Sequence, residues 1–219
     1  MNQEFEKNGF IVVRNFFSSE TIQITKQYMD IRYNVAKFTN QDKSVVTSDV
    51  AESYAFYGDT LCESILLNHG QKISNLLGLN LSPTYAFARA YEKGDTLIPH
   101  KDRGACEISA TCPVYISDGK PSVLYISKFT TDRFDEEPRP SLDKFVSGDY
   151  YKAELYPGDV LFYKGCKHYH WRDALESPLL FQFFMHFVQT EGKYKELAFD
   201  TRPLMGLPAS YKTKKVLDL

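Results

Sequence analysis

Three residues in the second half of the chain have side chains that can bind a transition metal. His100 and Asp102 are two positions apart, so in an extended strand both side chains leave the same face and can converge on one ion. The segment 167–172, which reads Lys-His-Tyr-His-Trp-Arg, supplies a third ligand in His170. Two histidines and one carboxylate form a facial triad for Fe(II), which leaves three coordination positions open. The residue types and their spacing therefore predict one Fe(II) site at His100, Asp102 and His170.

Two further histidines could belong to this site. His168 competes with His170 for the ion, because the two are two residues apart and would share one face of a strand. His186 is interpreted either as a contact near the metal or substrate or as a hydrogen-bonded core histidine. His69 lies on the apolar side of a predicted helix and is interpreted as structural.

The composition is that of an ordinary globular protein and excludes several function classes. Of the 219 residues, 43% are hydrophobic and 25% are charged, which excludes a disordered or fibrous chain. The net charge of −2 provides no basic field for a polyphosphate backbone or an anionic membrane, so no nucleic acid is expected as a partner. The polar N-terminus and the lack of an apolar run of about 20 residues predict a cytoplasmic protein with no membrane partner. The four cysteines form no C-x-x-C pair and are expected to be reduced, buried thiols.

The N-terminal part of the chain has the patterns of a short strand followed by two helices. Residues 9–13 form an apolar strand, and Ser18 then provides an N-cap for a helix that is predicted to run to about Lys37. A second helix is predicted over about 63–77, where apolar residues recur at helical spacing, and Gly78 is placed to end it.

From about residue 82 onward the apolar pattern has a period of two, which indicates strands. In the first of them Tyr85, Phe87, Arg89 and Tyr91 share one large face. In 107–117 the even positions are apolar and the odd ones mostly polar, which places Tyr115 on the face of a wet pocket. Further strands are predicted at 122–127, 151–156, 160–163 and 179–188.

This order of elements predicts an α+β fold with an antiparallel sandwich or barrel of jelly-roll type, and with the N-terminal helices packed on one sheet. We expect one domain, divided into a helical part at about 1–80, a core at about 81–190 and a C-terminal extension at 191–219.

Two long connections have alternative interpretations. The polar segment from about Phe38 to Thr60 is predicted to be a mobile cover over the pocket, or else a loop packed permanently through Tyr54, Phe56 and Tyr57. The charged insert at 129–150 is interpreted as a surface hairpin or as a flap that faces the substrate.

The sequence resembles the Fe(II)/2-oxoglutarate-dependent dioxygenases, especially the prolyl-hydroxylase-like and phage-type members. The resemblance covers about residues 80–190, and the opening at 8–19 is also similar. Its motifs are Tyr91-Glu92-Lys93-Gly94, Pro99-His100-Lys101-Asp102-Arg103, Pro157-Gly158-Asp159-Val160-Leu161-Phe162 and His170-Trp171-Arg172 with the strand after it. This resemblance implies a double-stranded β-helix fold that is also called cupin-like, and it favours His170 over His168 as the distal ligand.

The resemblance also implies that 2-oxoglutarate and O2 are cosubstrates. Fe(II) held by two imidazoles and one carboxylate keeps a positive charge, so 2-oxoglutarate can chelate it at two open positions while O2 takes the third. The far carboxylate of 2-oxoglutarate then needs a cation of its own.

The expected cation is missing from its usual place. Many relatives have a Lys or Arg about nine to twelve residues after the distal histidine, whereas this chain has Leu179-Leu180-Phe181-Gln182 there. Arg172 is the first substitute, because it shares the face of His170 in an extended strand. The next candidates are Arg89 and then Arg103. Hydroxyl or amide donors for the same ligand are expected from Tyr91, Tyr115, Thr111 and Gln182.

Arg172 also has an ordinary interpretation, in which it forms a surface ion pair with Asp173 or Glu176.

Two function classes follow from these features. The first is a dioxygenase that converts 2-oxoglutarate to succinate and CO2 and hydroxylates a C–H bond of a small molecule, an amino acid or a peptidyl (including prolyl) substrate. The retained carboxylate of Asp102 favours hydroxylation, because halogenating relatives have a small residue there. The second is a cupin-like module that binds a metal or another ligand without oxygenase activity. Neither the substrate nor the oligomeric state is specified by the sequence.

Overall fold

The computed structural model describes residues 2–41, 53–128, 130, 142, 145–146 and 148–213. Helices and strands in these ranges are named in chain order. The helices are α1 (Gln3–Asn8), α2 (Ser19–Phe38) and α3 (Thr60–Leu77). The strands are β1 (Phe10–Val13), β2 (Tyr54–Tyr57), β3 (Leu81–Glu92), β4 (Leu97–His100), β5 (Ile108–Ile116), β6 (Ser122–Ser127), β7 (Tyr150–Leu155), β8 (Val160–Tyr163), β9 (His170–Arg172) and β10 (Leu179–Gln189).

The two long helices begin and end at residues that satisfy their terminal backbone groups. The side chain of Ser18 accepts a hydrogen bond from the Thr21 amide at the start of α2. Asp59 caps α3 in the same way, so this helix begins three residues before its predicted start. Gly78 ends α3 in a left-handed conformation with φ 67°, which costs glycine little because it lacks a Cβ.

The strands form two antiparallel sheets. The larger has the order β1-β8-β5-β10-β3-β2, and the smaller has the order β4-β9-β6-β7. Their inner faces share one apolar cluster, in which Tyr91 and Leu180 of the larger sheet meet Leu124 and Leu155 of the smaller. The predicted α+β class is therefore confirmed.

The helices cover the outer face of the larger sheet. Met29 of α2 and Leu66 of α3 are buried in one cluster with Phe162 and Phe183 of the sheet. Full burial of each such side chain contributes roughly 1.5–3 kcal/mol, so this layer supplies much of the stability that keeps the sheet in place. The predicted packing of N-terminal helices on one sheet is confirmed.

A β-bulge in β5 overturns one prediction. Phe181 of β10 pairs with Tyr115 and Gln182 pairs with Pro113, so Val114 is the extra residue between them. The bulge exchanges the two faces, and Tyr115 therefore packs on the helix side against Phe181, below the Lys26 ammonium. The expected donor role of Tyr115 in the pocket is wrong, because strict alternation does not continue through a bulge.

The two long connections lie largely outside the described residues. Residues 42–52 of the predicted cover are not among those described, while its end forms β2, which pairs with β3. Tyr54 and Phe56 of β2 are buried in the helix-side cluster. Most of the 129–150 insert also lies outside the described residues, so the cover and the flap stay predictions. Among the described helices, none is long and apolar enough to cross a membrane.

Candidate active site

Two short paired strands bring the three predicted ligands together. His100 ends β4 and pairs directly with His170, which begins β9. Their imidazole centroids are 4.2 Å apart. Asp102 lies two residues beyond β4, where its backbone N–H donates to the Gly165 carbonyl at 3.0 Å. One strand pair and one loop therefore place all three side chains at the same end of the smaller sheet.

The hydrogen bonds of the two imidazoles orient them toward Asp102. His100 Nδ1 lies 2.9 Å from the Ile98 carbonyl, and His170 Nδ1 lies 3.1 Å from the His168 carbonyl. Because a carbonyl oxygen only accepts, each Nδ1 carries the proton, and each Nε2 faces the carboxylate. The Nε2 atoms lie 3.6 and 3.5 Å from Asp102 Oδ1. Ligand atoms of all three residues lie within 4.8 Å of one another, an arrangement that could hold a metal ion.

Asp102 is held as an anion although it is inside the protein. Burial alone would raise its pKa, but His170 and His100 outweigh burial and hold the pKa well below its ordinary value. The second oxygen, Oδ2, accepts a hydrogen bond from Ser109 Oγ at 2.7 Å. Asp102 therefore directs one oxygen to the imidazoles while the other is fixed by the protein.

A buried chain of hydrogen bonds continues from Ser109 to His186. Ser109 Oγ lies 3.0 Å from His186 Nδ1, so a hydroxyl that donates to Asp102 accepts from the imidazole. Burial lowers the pKa of His186 to about 4, which keeps its ring neutral. Sequence reasoning missed Ser109, although its place on the odd face of β5 and its cross-strand pairing with His186 were a usable signal.

Gly165 allows this arrangement because it has no side chain. A Cβ at this position would lie 2.4 Å from both Asp102 Oδ2 and the Cys106 carbonyl oxygen, and 2.6 Å from Ser109 Oγ. Cβ atoms essentially never approach other heavy atoms this closely, so glycine fits here without a shift of its neighbours. Sequence reasoning missed this residue, which lies in the loop between β8 and β9.

His168 lies away from the three ligands. Its Nδ1 is 2.7 Å from the Ser127 carbonyl, and its ring packs edge-on against Phe10. Its Nε2 is against Gly9, where an added Cβ would be only 2.1 Å away. His168 still belongs to a turn in which its N–H donates to the Lys164 carbonyl, so it does not share a strand face with His170.

A cavity of about 180 Å³ opens beside the three ligands. Its inner half lies between the two sheets and is lined by Tyr91, Leu97, Leu124 and Tyr163. Its outer half is lined by Tyr57, Tyr85, Phe87, Phe184, Arg103 and Lys212. Arg89 and His186 also line the cavity, so the predicted residues Arg89 and Tyr91 lie in the same space as the three ligands.

Arg172 is buried beside the inner half. Its Nε donates to the Val123 carbonyl at 3.0 Å, and its Nη2 lies 3.2 Å from Ser122 Oγ and 3.4 Å from Gln182 Oε1. The guanidinium carbon is 4.7 Å from the Tyr91 ring centroid. Nη1 is buried and has no hydrogen-bond partner among the described residues. An unmatched donor on a buried cation suits an anionic ligand.

The surface interpretation of Arg172 is wrong. Only 5% of its surface is exposed, and it forms no ion pair within the part of the chain that is described. Asp173 bonds to Tyr125, and Glu176 lies near Lys120 instead. Burial lowers the pKa of Arg172, and the nearby positive charge of Arg89 lowers it further.

Gln182 stands where a base was expected and orients Arg172. Its Oε1 lies near the guanidinium, while its Nε2 donates to Thr111 Oγ1 at 2.6 Å. The amide therefore connects Arg172 to β5. Thr111 is connected to the arginine only through Gln182. Direct binding of a ligand by Gln182 and Thr111 stays a prediction.

The other two candidate arginines have different surroundings. Arg89 Nη1 donates to Ser53 Oγ at 2.9 Å. Arg103 forms two hydrogen bonds with Asp200, at 2.5 and 2.6 Å. Asp200 belongs to the C-terminal stretch 195–213, in which residues 199–201 all have positive φ. Ala209 and Lys212 of this stretch line the cavity. Sequence reasoning missed Asp200, because no local pattern connects it to a residue about a hundred positions earlier.

The fold is shared with several solved structures. A Pseudomonas putida prolyl-4-hydroxylase matches with a TM-score of 0.55 and 12% identity, over 84% of this chain and 95% of that one. SnoK, a non-heme alpha-ketoglutarate-dependent carbocyclase from nogalamycin biosynthesis, has a TM-score of 0.61 and 12% identity, over 85% of this chain and 81% of its own. HygX from Streptomyces hygroscopicus, solved with nickel, 2-oxoglutarate and hygromycin B, has a TM-score of 0.54 and 14% identity, over 83% and 84% respectively.

At these identities the likeness concerns the fold. No family model matches the sequence, and no curated protein matches it. The motifs around His100 and His170 predict a resemblance to the Fe(II)/2-oxoglutarate-dependent dioxygenases, and this resemblance is confirmed for the fold. The chain has the fold of the iron- and 2-oxoglutarate-dependent oxygenases.

Proposed function

We propose that this protein is a non-haem Fe(II)- and 2-oxoglutarate-dependent dioxygenase. One observation carries the proposal: a two-histidine, one-carboxylate cluster lies beside a cavity next to a buried arginine with an unmatched donor. The cluster suits Fe(II) with open coordination positions. The arginine suits the far carboxylate of a dianionic cosubstrate. Neither feature alone would specify 2-oxoglutarate, whereas the pair suits a ligand that has a chelating end and an anionic end.

Each residue has a distinct task in this proposal. Fe(II), 2-oxoglutarate and O2 together supply the oxidising power for a C–H bond. His100, Asp102 and His170 bind the ion through two Nε2 atoms and Oδ1. Arg172 binds the far carboxylate through Nη1, and the Tyr91 ring below the guanidinium limits its movement. Apolar side chains of the inner half exclude water and thereby strengthen these charged contacts.

The descriptions of the solved structures named above support the proposal. SnoK is described as alpha-ketoglutarate dependent, and HygX was solved with 2-oxoglutarate. One is described as a prolyl-4-hydroxylase and another as a carbocyclase, so the fold serves more than one reaction. We favour hydroxylation of a small-molecule, amino-acid or peptidyl substrate, because Asp102 retains a carboxylate at the metal.

We further assign the two sheets to a double-stranded β-helix within a single domain. The sheet orders support this topology, because chain neighbours such as β4 and β5 lie in different sheets. The shared cluster between the sheets and the return of the C-terminal stretch to the cavity support one continuous unit.

Metal titration of single-residue variants tests the proposed ligands. We expect wild type to bind one Fe(II) per chain under anaerobic conditions, and His100→Ala, Asp102→Ala and His170→Ala each to lose that binding while they remain folded. His168→Ala is the matched control, since its ring lies two residues from His170 but faces Gly9. Loss of the metal in His168→Ala but not in His170→Ala would overturn the ligand assignment.

A further inference from the structure

The outer half of the cavity is built mainly from aromatic rings. The centroids of Tyr57 and Tyr85 are 5.0 Å apart, and those of Phe87 and Phe184 are 6.0 Å apart. Rings at such distances form a wall that favours a flat or apolar group next to it. This wall lines the same cavity as the three predicted metal ligands.

One edge of this half is cationic. Arg103 and Lys212 both line it, and both are held by the buried carboxylate of Asp200. Lys212 Nζ lies 2.6 Å from Asp200 Oδ2, and Tyr57 Oη donates to the same oxygen at 2.5 Å. With the two bonds from Arg103, the carboxylate contacts four donors, three at Oδ2 and one at Oδ1. Asp200 therefore positions two cations through bonds to protein donors.

The charges around the cavity favour a substrate of one charge sign. Among the described lining residues, the cations are Arg89, Arg103 and Lys212, while the carboxylate is Asp102. Asp102 belongs to the cluster of predicted metal ligands. The single negative charge of Asp200 neutralises one of the two positive charges of Arg103 and Lys212. A positive charge remains at the outer edge, which attracts an anion and opposes a cationic substrate.

We propose that the substrate is an organic acid, whose carboxylate binds Lys212 and Arg103 and whose apolar body lies against the rings of Tyr57, Tyr85 and Phe184. The identity of this ligand as a substrate rests on the proposed function, while its binding does not. The same geometry makes Lys212 a specificity-determining residue. An ammonium has three donors, so Lys212 can contact Asp200 and a ligand carboxylate at once.

A binding experiment with a matched acid and amide tests this inference. The probes are 3-phenylpropanoate and 3-phenylpropanamide, which differ mainly in charge, measured by ligand-observed NMR. The full-length protein is used with Zn(II) and 2-oxoglutarate present, because zinc prevents turnover and 2-oxoglutarate fills the inner half. We expect wild type to bind the acid at least about 10-fold more tightly than the amide.

Variants then show where the acid binds. Lys212→Gln should reduce the preference to under about 3-fold, and Lys212→Arg should keep most of it because the charge is retained. Lys195→Gln is the matched control, since Lys195 is half exposed, belongs to the same C-terminal stretch and pairs only weakly with Glu191 at 4.0 Å. It should behave as wild type does.

Three outcomes would overturn the inference. They are equal binding of acid and amide, an acid preference that survives in Lys212→Gln, and an acid preference that is lost in Arg172→Gln instead. The proposed function fails separately, if Fe(II) and 2-oxoglutarate do not form a complex. An acid preference that depends on Lys212 would stand even then.

Discussion

Asp102 has two oxygens with separate tasks. Oδ1 faces the imidazoles of His100 and His170, while Oδ2 is held by Ser109. A carboxylate fixed in this way presents one oxygen to an ion and does not have to be reorganised when the ion binds. Gly165 makes the arrangement feasible, because any side chain there would occupy the space of Oδ2.

We therefore expect Gly165→Ala to weaken Fe(II) binding by at least about 10-fold, since the new methyl group must displace Asp102 or Ser109. Anaerobic titration with Fe(II) measures the effect. Gly70→Ala is the matched control, because Gly70 lies inside α3 and, apart from the helix's own backbone, no atom lies within 4 Å of the added carbon. Its Fe(II) affinity should equal that of wild type, and an unaffected Gly165→Ala would show that Asp102 is not constrained as described.

Arg172 carries the prediction about the cosubstrate. A charged hydrogen bond left unmade costs roughly 2–4 kcal/mol, so Arg172→Ala should weaken apparent 2-oxoglutarate affinity by about 30- to 1000-fold. Arg172→Lys should recover only part of this loss, because a single ammonium cannot make a two-pronged contact. Iron affinity should change much less, and thermal unfolding checks that the buried contacts to Val123 and Ser122 are not essential to the fold. Unchanged 2-oxoglutarate dependence would shift the anchor to Arg89 or Arg103.

Single residues could be predicted from the sequence where the signal lies in neighbouring positions. His100 and Asp102 were predicted from their two-residue spacing, and His170 was predicted from the His170-Trp171-Arg172 motif. Ser109 and Gly165 escape prediction because their importance depends on contacts across the fold. Arg172 was identified from a charge argument, although its burial was not readable from the sequence.

Short elements do most of the positioning. β4 and β9 have four and three residues, yet their pairing aligns His100 with His170. Neither these strands nor β2 were predicted, whereas the long strands β3, β5 and β10 and the short apolar strands β1 and β8 were. The bulge at Val114 was equally unreadable, because it reflects the fit of β5 to β10 and not the pattern of either strand alone.

The C-terminal stretch is an element whose place depends on Asp200. Burial would raise the pKa of Asp200, but Arg103 and Lys212 outweigh burial and lower it, so the carboxylate is charged at neutral pH. We expect Asp200→Asn to raise amide hydrogen exchange in residues 195–213 by about 10-fold or more, because the charged bonds to Arg103 and Lys212 are lost.

Exchange in β10 should stay the same in Asp200→Asn. Glu176→Gln is the control, since its carboxylate is exposed and lies 3.6 Å from an exposed lysine. Unchanged exchange in residues 195–213 would mean that other contacts, such as the buried pair of Arg202 and Glu63, are sufficient to hold the stretch.

The whole molecule has three layers, which are the helices, the larger sheet and the smaller sheet. The residues that stabilise the fold and those of the candidate site lie on different sides of the larger sheet. The helices and the outer face of the larger sheet form an apolar core, while the candidate site lies on the other side of that sheet. The order of helices before strands was sufficient to predict this division. The register between the sheets was not predictable, because it depends on side chains from opposite ends of the chain.

The neutral, buried His186 connects the site to the stability of the fold. Its pKa is lowered from 6.5 to about 4 by burial, so the folded state takes up a proton less readily than the unfolded state. The contribution of the neutral His186 ring to the free energy of unfolding is present above pH 6.5, and it is lost as the pH falls from there toward about 4. Between pH 7 and pH 5, the metal-free wild type should therefore lose roughly 2 kcal/mol more than His186→Gln. Urea unfolding at the two pH values measures this, and equal losses would contradict the burial of a neutral ring.

The central claim is that Fe(II) and 2-oxoglutarate meet at the cluster of His100, Asp102 and His170 with Arg172 beside it. Anaerobic addition of both to the protein tests this most directly, because a 2-oxoacid chelated to Fe(II) has a weak visible charge-transfer band. We predict that wild type develops the band, that His170→Ala does not, and that Arg172→Ala requires far more 2-oxoglutarate to reach it. A wild-type protein that binds Fe(II) but shows no band at saturating 2-oxoglutarate would contradict the account and indicate a metal-binding module without oxygenase activity.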